Sequence, residues 1–152
     1  MKALLLDYNG VIVNDEPLHL ASFRETLADD GIPFDPAEYA AEYLGLARAG
    51  IAGVVEAVVC SGDVPTTKPD PAGLRLGLRR LEQRHQAGEW HAVVIEDSLP
   101  GIGAARALGA GCVAITTSHR ADELGAADVA WTSFDGHSPA ELDDLWRRVE
   151  TS

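Results

Sequence analysis

Five short apolar runs, at residues 3–6, 54–60, 92–95, 112–115 and 128–131, punctuate the chain, with helix-spaced segments between them. The runs are mostly Val, Leu, Ile and Ala, with Glu56 inside the second and Asp128 opening the last, and all are too short for a core helix. Such runs read as strands buried on both faces. Leu20, Phe23 and Leu27 recur at helical spacing before Gly31, and Asp35-Pro36 opens a short helix over 36–43. Asp70-Pro71 repeats that signal ahead of Leu74, Leu78 and Leu81, in a helix ending near Ala87-Gly88. Pro100 to Leu108 forms another helix, closed by Gly109 and Gly111. Ser138-Pro139-Ala140-Glu141 has capping-box spacing and precedes Leu142, Leu145 and Val149. Strands alternating with helices imply an α/β fold: a three-layer sandwich with a mainly parallel sheet. At 152 residues the chain suits one domain.

In such sheets the active site lies beyond the carboxyl ends of the strands. The first run ends at Asp7, "HAVVIEDS" ends at Glu96-Asp97, and "VVCSGD" ends at Ser61 and Asp63. Acids just past apolar strands are costly to desolvate unless they are paired or metal-bound. A lone one is usually a cap or turn residue. Two such sites in one parallel sheet, with Lys68 near a third strand end, favour a metal-phosphate site. Carboxylate and carbonyl ligands in small number suit Mg²⁺, which keeps waters and accepts phosphate oxygens.

The motifs resemble those of the haloacid dehalogenase-like hydrolases, in the branch of phosphoglycolate phosphatase and β-phosphoglucomutase. "LLLDYNGVIVNDEPLH" is similar to that family's first motif, "TTKPDP" at 66–71 to its lysine motif, and "VVIEDSLPGIGAARALGA" at 93–110 to its acidic motif. "YLGL" at 43–46 resembles the start of its helical cap. The resemblance implies a phosphatase-like hydrolase in which Asp7 is the nucleophile and forms an aspartyl-phosphate. It implies Mg²⁺ held by Asp7, the backbone carbonyl of Asn9 and Asp97, with Glu96 close by. Lys68 would neutralise the phosphoryl oxygens, and Gly10 would help bind the substrate.

Two departures from that pattern matter. Asn9 stands where the family's second acid protonates the leaving group and activates water. An amide does neither, and the loss of general acid–base help is worth about 10²–10⁴-fold. The expectation is slow turnover or a catalytically impaired phosphate- or metal-binding protein; the carbonyl of residue 9 is unaffected. Second, only Ala47 to Val54 separate "YLGL" from the apolar run 54–60. Most of the cap and the second core strand are therefore missing, so the chain reads as one core domain over 1–152, with 16–46 as a cap remnant of one or two helices. The simplest repair places 54–60 beside the first strand and Ser61 where the family's phosphate-binding hydroxyl stands. The alternative is that Ser61 is an ordinary loop residue.

The net charge of −12 argues against nucleic acid or an anionic membrane as partner. The expected partner is a small phosphorylated metabolite, and a homodimer would bury the flank of a truncated sheet. The N-terminus lacks signal-peptide character, and a cytoplasmic location is the default. Cys60 and Cys112 read as reduced structural thiols. His19 sits at the start of the first helix. His85, His91, His119 and His137 show no ligand spacing and read as surface residues. Thr116, Thr117 and Ser118 read as a polar loop that rims the pocket at most. Gly101 and Gly103 resemble part of a dinucleotide fingerprint, but no glycine-rich turn follows the first strand.

Overall fold

The computed structural model describes residues 1–7, 11, 55–86, 88 and 90–150. The expected helices around Leu20 and over 36–43, the cap remnant 16–46, and the residues Asn9, Gly10 and His19 lie outside the described residues. The elements are strand β1 (Lys2–Leu6), helix α1 (Ala72–His85), β2 (His91–Glu96), α2 (Leu99–Leu108), β3 (Gly111–Ile115), β4 (Val129–Trp131) and α3 (Pro139–Glu150). A 3-10 turn spans Ser61–Asp63.

The four strands form one parallel sheet in the order β1-β2-β3-β4. Leu6 pairs with Ile95, and Glu96 with Ala114, so β1 and β2 end side by side. On one face, Ala92, Val94, Cys112 and Ala114 pack against Ile102 and Ala105 of α2, with Leu5 and with Leu74 and Leu78 of α1 alongside. On the other, Val93, Ile95, Val113 and Ile115 pack against Leu142, Leu145 and Trp146 of α3. The two clusters make the layers of a helix–sheet–helix sandwich, and β2 and β3 are buried on both faces as their unbroken apolar runs require.

Local chemistry accounts for the helix ends. Ser98 caps α2 by accepting a bond from the Gly101 N–H at 3.2 Å. Gly109 closes the same helix at φ 81°, a left-handed conformation that glycine adopts without strain. Glu141 accepts a bond from the Ser138 N–H at 2.9 Å, one half of the expected capping box at α3. The Trp146 indole donates to the Ala3 carbonyl at 3.3 Å and ties α3 to β1.

The apolar run 54–60 departs from expectation. Residues 55–60 form no strand, and among the described residues β1 has β2 as its sole partner. The repair that placed this run beside β1 is therefore incorrect. Backbone carbonyls need partners wherever they lie. Here the guanidinium of Arg80 donates to the Val58 carbonyl and that of Arg84 to the Glu56 carbonyl, so two of these carbonyls are met by side chains of α1. Val59 lies against α1, 3.7 Å from where a Cβ on Gly77 would sit. The edge strands are also less covered than their apolar runs suggest: Leu4 and Leu6 are each 42% exposed, and Val129 of β4 is exposed. No described helix is long and apolar enough to cross a membrane.

Candidate active site

The carboxyl ends of β1 and β2 carry the chemistry. Asp7 extends β1 by one residue, its N–H donating to the Ile95 carbonyl at 3.0 Å. That bond sets Asp7 beside Glu96 and Asp97, which follow from β2. Lys68 enters from the loop ahead of α1. Its neighbour Pro69 packs on α2, 3.0 Å from where a Cβ on Gly103 would stand. The Lys68 ammonium donates to Asp7 Oδ1 at 2.7 Å and to Glu96 Oε1. One ligand atom from each of Asp7, Glu96 and Asp97 lies within 4.8 Å of the others.

The three carboxylates are not equivalent. Glu96 is buried, and its oxygens are heavily used. Oε1 accepts from Lys68, and Oε2 accepts from the Asp97 N–H at 3.1 Å, the Ser98 N–H at 3.2 Å and the Ser98 hydroxyl at 2.9 Å. Glu96 thus anchors both the lysine and the turn into α2. Burial, and then the charge of Asp7, raise its pKa, against the opposing pull of Lys68. Burial disfavours the Lys68 ammonium, but Glu96 and Asp7 together outweigh it and hold its pKa above the ordinary lysine value. Asp7 is the more accessible acid, with 30% of its side chain exposed.

Asp97 is buried and held by a different element. Ser118, in the loop after β3, donates its hydroxyl to Asp97 Oδ2, and His119 Nδ1 lies 3.0 Å from the Asp97 carbonyl. That carbonyl only accepts, so the proton is on Nδ1. Asp97 Oδ1 and Asp7 Oδ2 accept none of the described hydrogen bonds.

Three carboxylates against one ammonium leave the cluster two negative charges in excess. A divalent cation satisfies that balance, and the all-oxygen donor set suits Mg²⁺ rather than a softer metal. Asp7 and Asp97 are the residues of the cluster best able to hold it, since Lys68 and the turn already occupy Glu96.

Of the expected site residues, Asp7, Lys68, Glu96 and Asp97 come together at one edge of the sheet. Asn9 and Gly10 lie outside the described residues. Ser61 opens the 3-10 turn, and its side chain is likewise not described. The turn itself is anchored elsewhere, Asp63 accepting from the Cys60 N–H and from Arg80, each at 3.0 Å. Sequence reasoning missed Ser98, Gly101, Ser118 and His119. His119 is half-buried and bonded to Asp97, not a surface residue. Gly101 was legible: a glycine in the first turn of a helix that follows an Glu-Asp pair leaves room for one of those acids. Ser118 was read as part of a polar loop rimming the pocket at most, because the pairing of that loop with Asp97 depends on the β2–β3 register.

Comparison with known proteins finds relatives by sequence and by fold. Residues 43–115 match the model of the haloacid dehalogenase-like hydrolase family. A validoxylamine A 7'-phosphate phosphatase of Streptomyces hygroscopicus subsp. limoneus is 34% identical over 94 residues, covering 62% of this chain and 41% of that protein. The chain thus spans about two fifths of the length of that curated relative. Among solved structures, a family IA haloacid dehalogenase-like hydrolase of Entamoeba histolytica aligns with a TM-score of 0.59 at 17% identity, over 97% of this chain and 100% of that one. CbbY of Rhodobacter sphaeroides, solved with phosphate, aligns with a TM-score of 0.59 at 22% identity, over 92% of this chain and 98% of its own. At these identities the structural likeness speaks for the fold.

Proposed function

We propose that this chain, a haloacid dehalogenase-like protein by the sequence of residues 43–115 and by its fold, is a slow Mg²⁺-dependent phosphomonoesterase working through Asp7. The observation that carries the reading is the convergence of Asp7, Lys68, Glu96 and Asp97 on one point at the strand ends. That the curated relative is named as a phosphatase supports the reaction class.

Bound Mg²⁺, held by Asp7 and Asp97, would screen the anionic substrate from the carboxylates and polarise the phosphoryl group. Lys68 pairs with Asp7 and offers its ammonium to a phosphoryl oxygen. The Asp7 carboxylate oxygen attacks phosphorus, the bond from phosphorus to the ester oxygen breaks, and the departing alkoxide takes a proton. Water then attacks the phosphorus of the aspartyl-phosphate, releasing inorganic phosphate and restoring the carboxylate. Asn9 supplies no proton in the first step and removes none in the second, so both lean on solvent and the reaction is slow. Substrates with good leaving groups suffer least. The substrate is a small phosphorylated metabolite.

The test is hydrolysis of p-nitrophenyl phosphate with Mg²⁺, with EDTA, and by Asp7→Asn. Turnover that needs the cation and vanishes in the variant supports the reading. Thermal stabilisation by Mg²⁺ without turnover supports the second reading, a phosphate- or metal-binding protein, which Asn9 favours. Turnover of a 2-haloacid in EDTA would overturn both.

A further inference from the structure

We propose that Ser118 is a positioning residue for the cation site, its hydroxyl setting the orientation in which the Asp97 carboxylate meets the metal. The inference rests on the proposed function and extends it to a residue outside the strand-end acids.

The Asp97 backbone is fixed at both ends. Its N–H donates to Glu96 Oε2 at 3.1 Å, and its carbonyl accepts from His119 Nδ1 at 3.0 Å. At the carboxylate itself, Ser118 donates to Oδ2. That bond would leave Oδ1 as the oxygen offered to a cation. Ser118 and His119 act from one loop, whose base is secured by the Thr116 N–H donating to the Trp131 carbonyl at 2.9 Å. The loop after β3 therefore grips Asp97 twice, by side chain and by backbone.

The chemistry of the donor matters. Lys68 pairs with Asp7 and Glu96, not with Asp97. A hydroxyl orients the buried carboxylate without cancelling its charge, so the charge stays available to a cation. A lysine or arginine in its place would compete with the metal. Hydrogen bonds that orient a ligand in this way are worth about 10–100-fold in metal affinity.

The experiment measures Mg²⁺ affinity by titration calorimetry, without substrate, on the wild-type chain, Ser118→Ala and Ser118→Thr. The expected result is a loss of about 10–100-fold in Ser118→Ala, recovered in Ser118→Thr, which keeps the hydroxyl. The unfolding midpoint of the metal-free protein should stay close to wild type in both, whereas a merely structural serine would lower it and spare the affinity. Wild-type affinity in Ser118→Ala would overturn the role of Ser118 and leave the proposed function standing. A wild-type chain that takes up no Mg²⁺ would overturn both.

Discussion

A Cβ built on Gly101 would lie 1.8 Å from the carboxyl carbon of Glu96. The first turn of α2 is therefore glycine at the one place where Glu96 folds back beneath it to reach Lys68 and the Ser98 turn. Burial of that carboxylate and absence of that side chain are one design.

It follows that Gly101→Ala should expel Glu96 from its site. Overpacking of this kind costs about 1–3 kcal/mol, and the displaced carboxylate also loses its donors. Urea unfolding should show a lower midpoint with an unchanged slope, and Mg²⁺-dependent turnover should fall with it. Gly62→Ala is the control, since nothing lies within 4 Å of a Cβ there; it should unfold like wild type.

Removing the lysine should expose the cost of the acids it holds. In Lys68→Met the buried Glu96 carboxylate keeps its turn donors but loses its counter-charge. Solvent reaches 36% of the Lys68 side chain, so the loss should fall below the about 3–5 kcal/mol of a fully buried pair. Adding Glu96→Gln should restore part of it, and a double-mutant cycle by denaturant unfolding reads the coupling. Additive effects would show that the pair is not coupled.

The Asn9→Asp variant should turn over an alkyl phosphate faster, by up to about 10²–10⁴-fold, because it adds a group able to carry a proton. The gain should be smaller for p-nitrophenyl phosphate, whose leaving group needs less protonation. Steady-state rates on the two substrates test both statements. An unchanged rate on the alkyl ester would contradict the account of Asn9.

Cys112 is the second residue of β3, where burial, and then the charge of Glu96, push its thiol pKa from the ordinary 9.0 up to about 12. A raised pKa means the native state holds this proton after the unfolded state has lost it. Stability from this group is thus complete below pH 9.0 and falls as pH rises toward about 12. Cys112→Ala should flatten the alkaline decline in unfolding free energy over that window. In the native protein at pH 8, iodoacetamide should spare Cys112, and denaturation should expose it.

The sequence made the central layer readable because β2 and β3 are unbroken apolar runs buried on both faces, and periodicity placed α1, α2 and α3 within a few residues. The run 54–60 looked the same, yet residues 55–60 form no strand and the Glu56 and Val58 carbonyls are met by Arg84 and Arg80, a pairing by side chains that no pattern of hydrophobicity encodes. At the site, Asp7, Glu96 and Asp97 were legible as charges at strand ends, and Lys68 through its motif, although the third strand end expected beside it is not formed. Ser118 and His119 were not, since they become neighbours of Asp97 through strand register alone. The saturation of Glu96 was equally hidden: its role as an anchor appears only when each of its bonds is followed.

The central claim is that phosphorus is transferred to Asp7, and it can be observed directly. With Asn9 unable to activate water, the aspartyl-phosphate should persist long enough to trap. Protein mixed with p-nitrophenyl phosphate and Mg²⁺, then quenched with borohydride, should yield homoserine at position 7 in the peptide mass spectrum, and none when Mg²⁺ is withheld. Turnover that leaves Asp7 unreduced under the same quench would contradict the account.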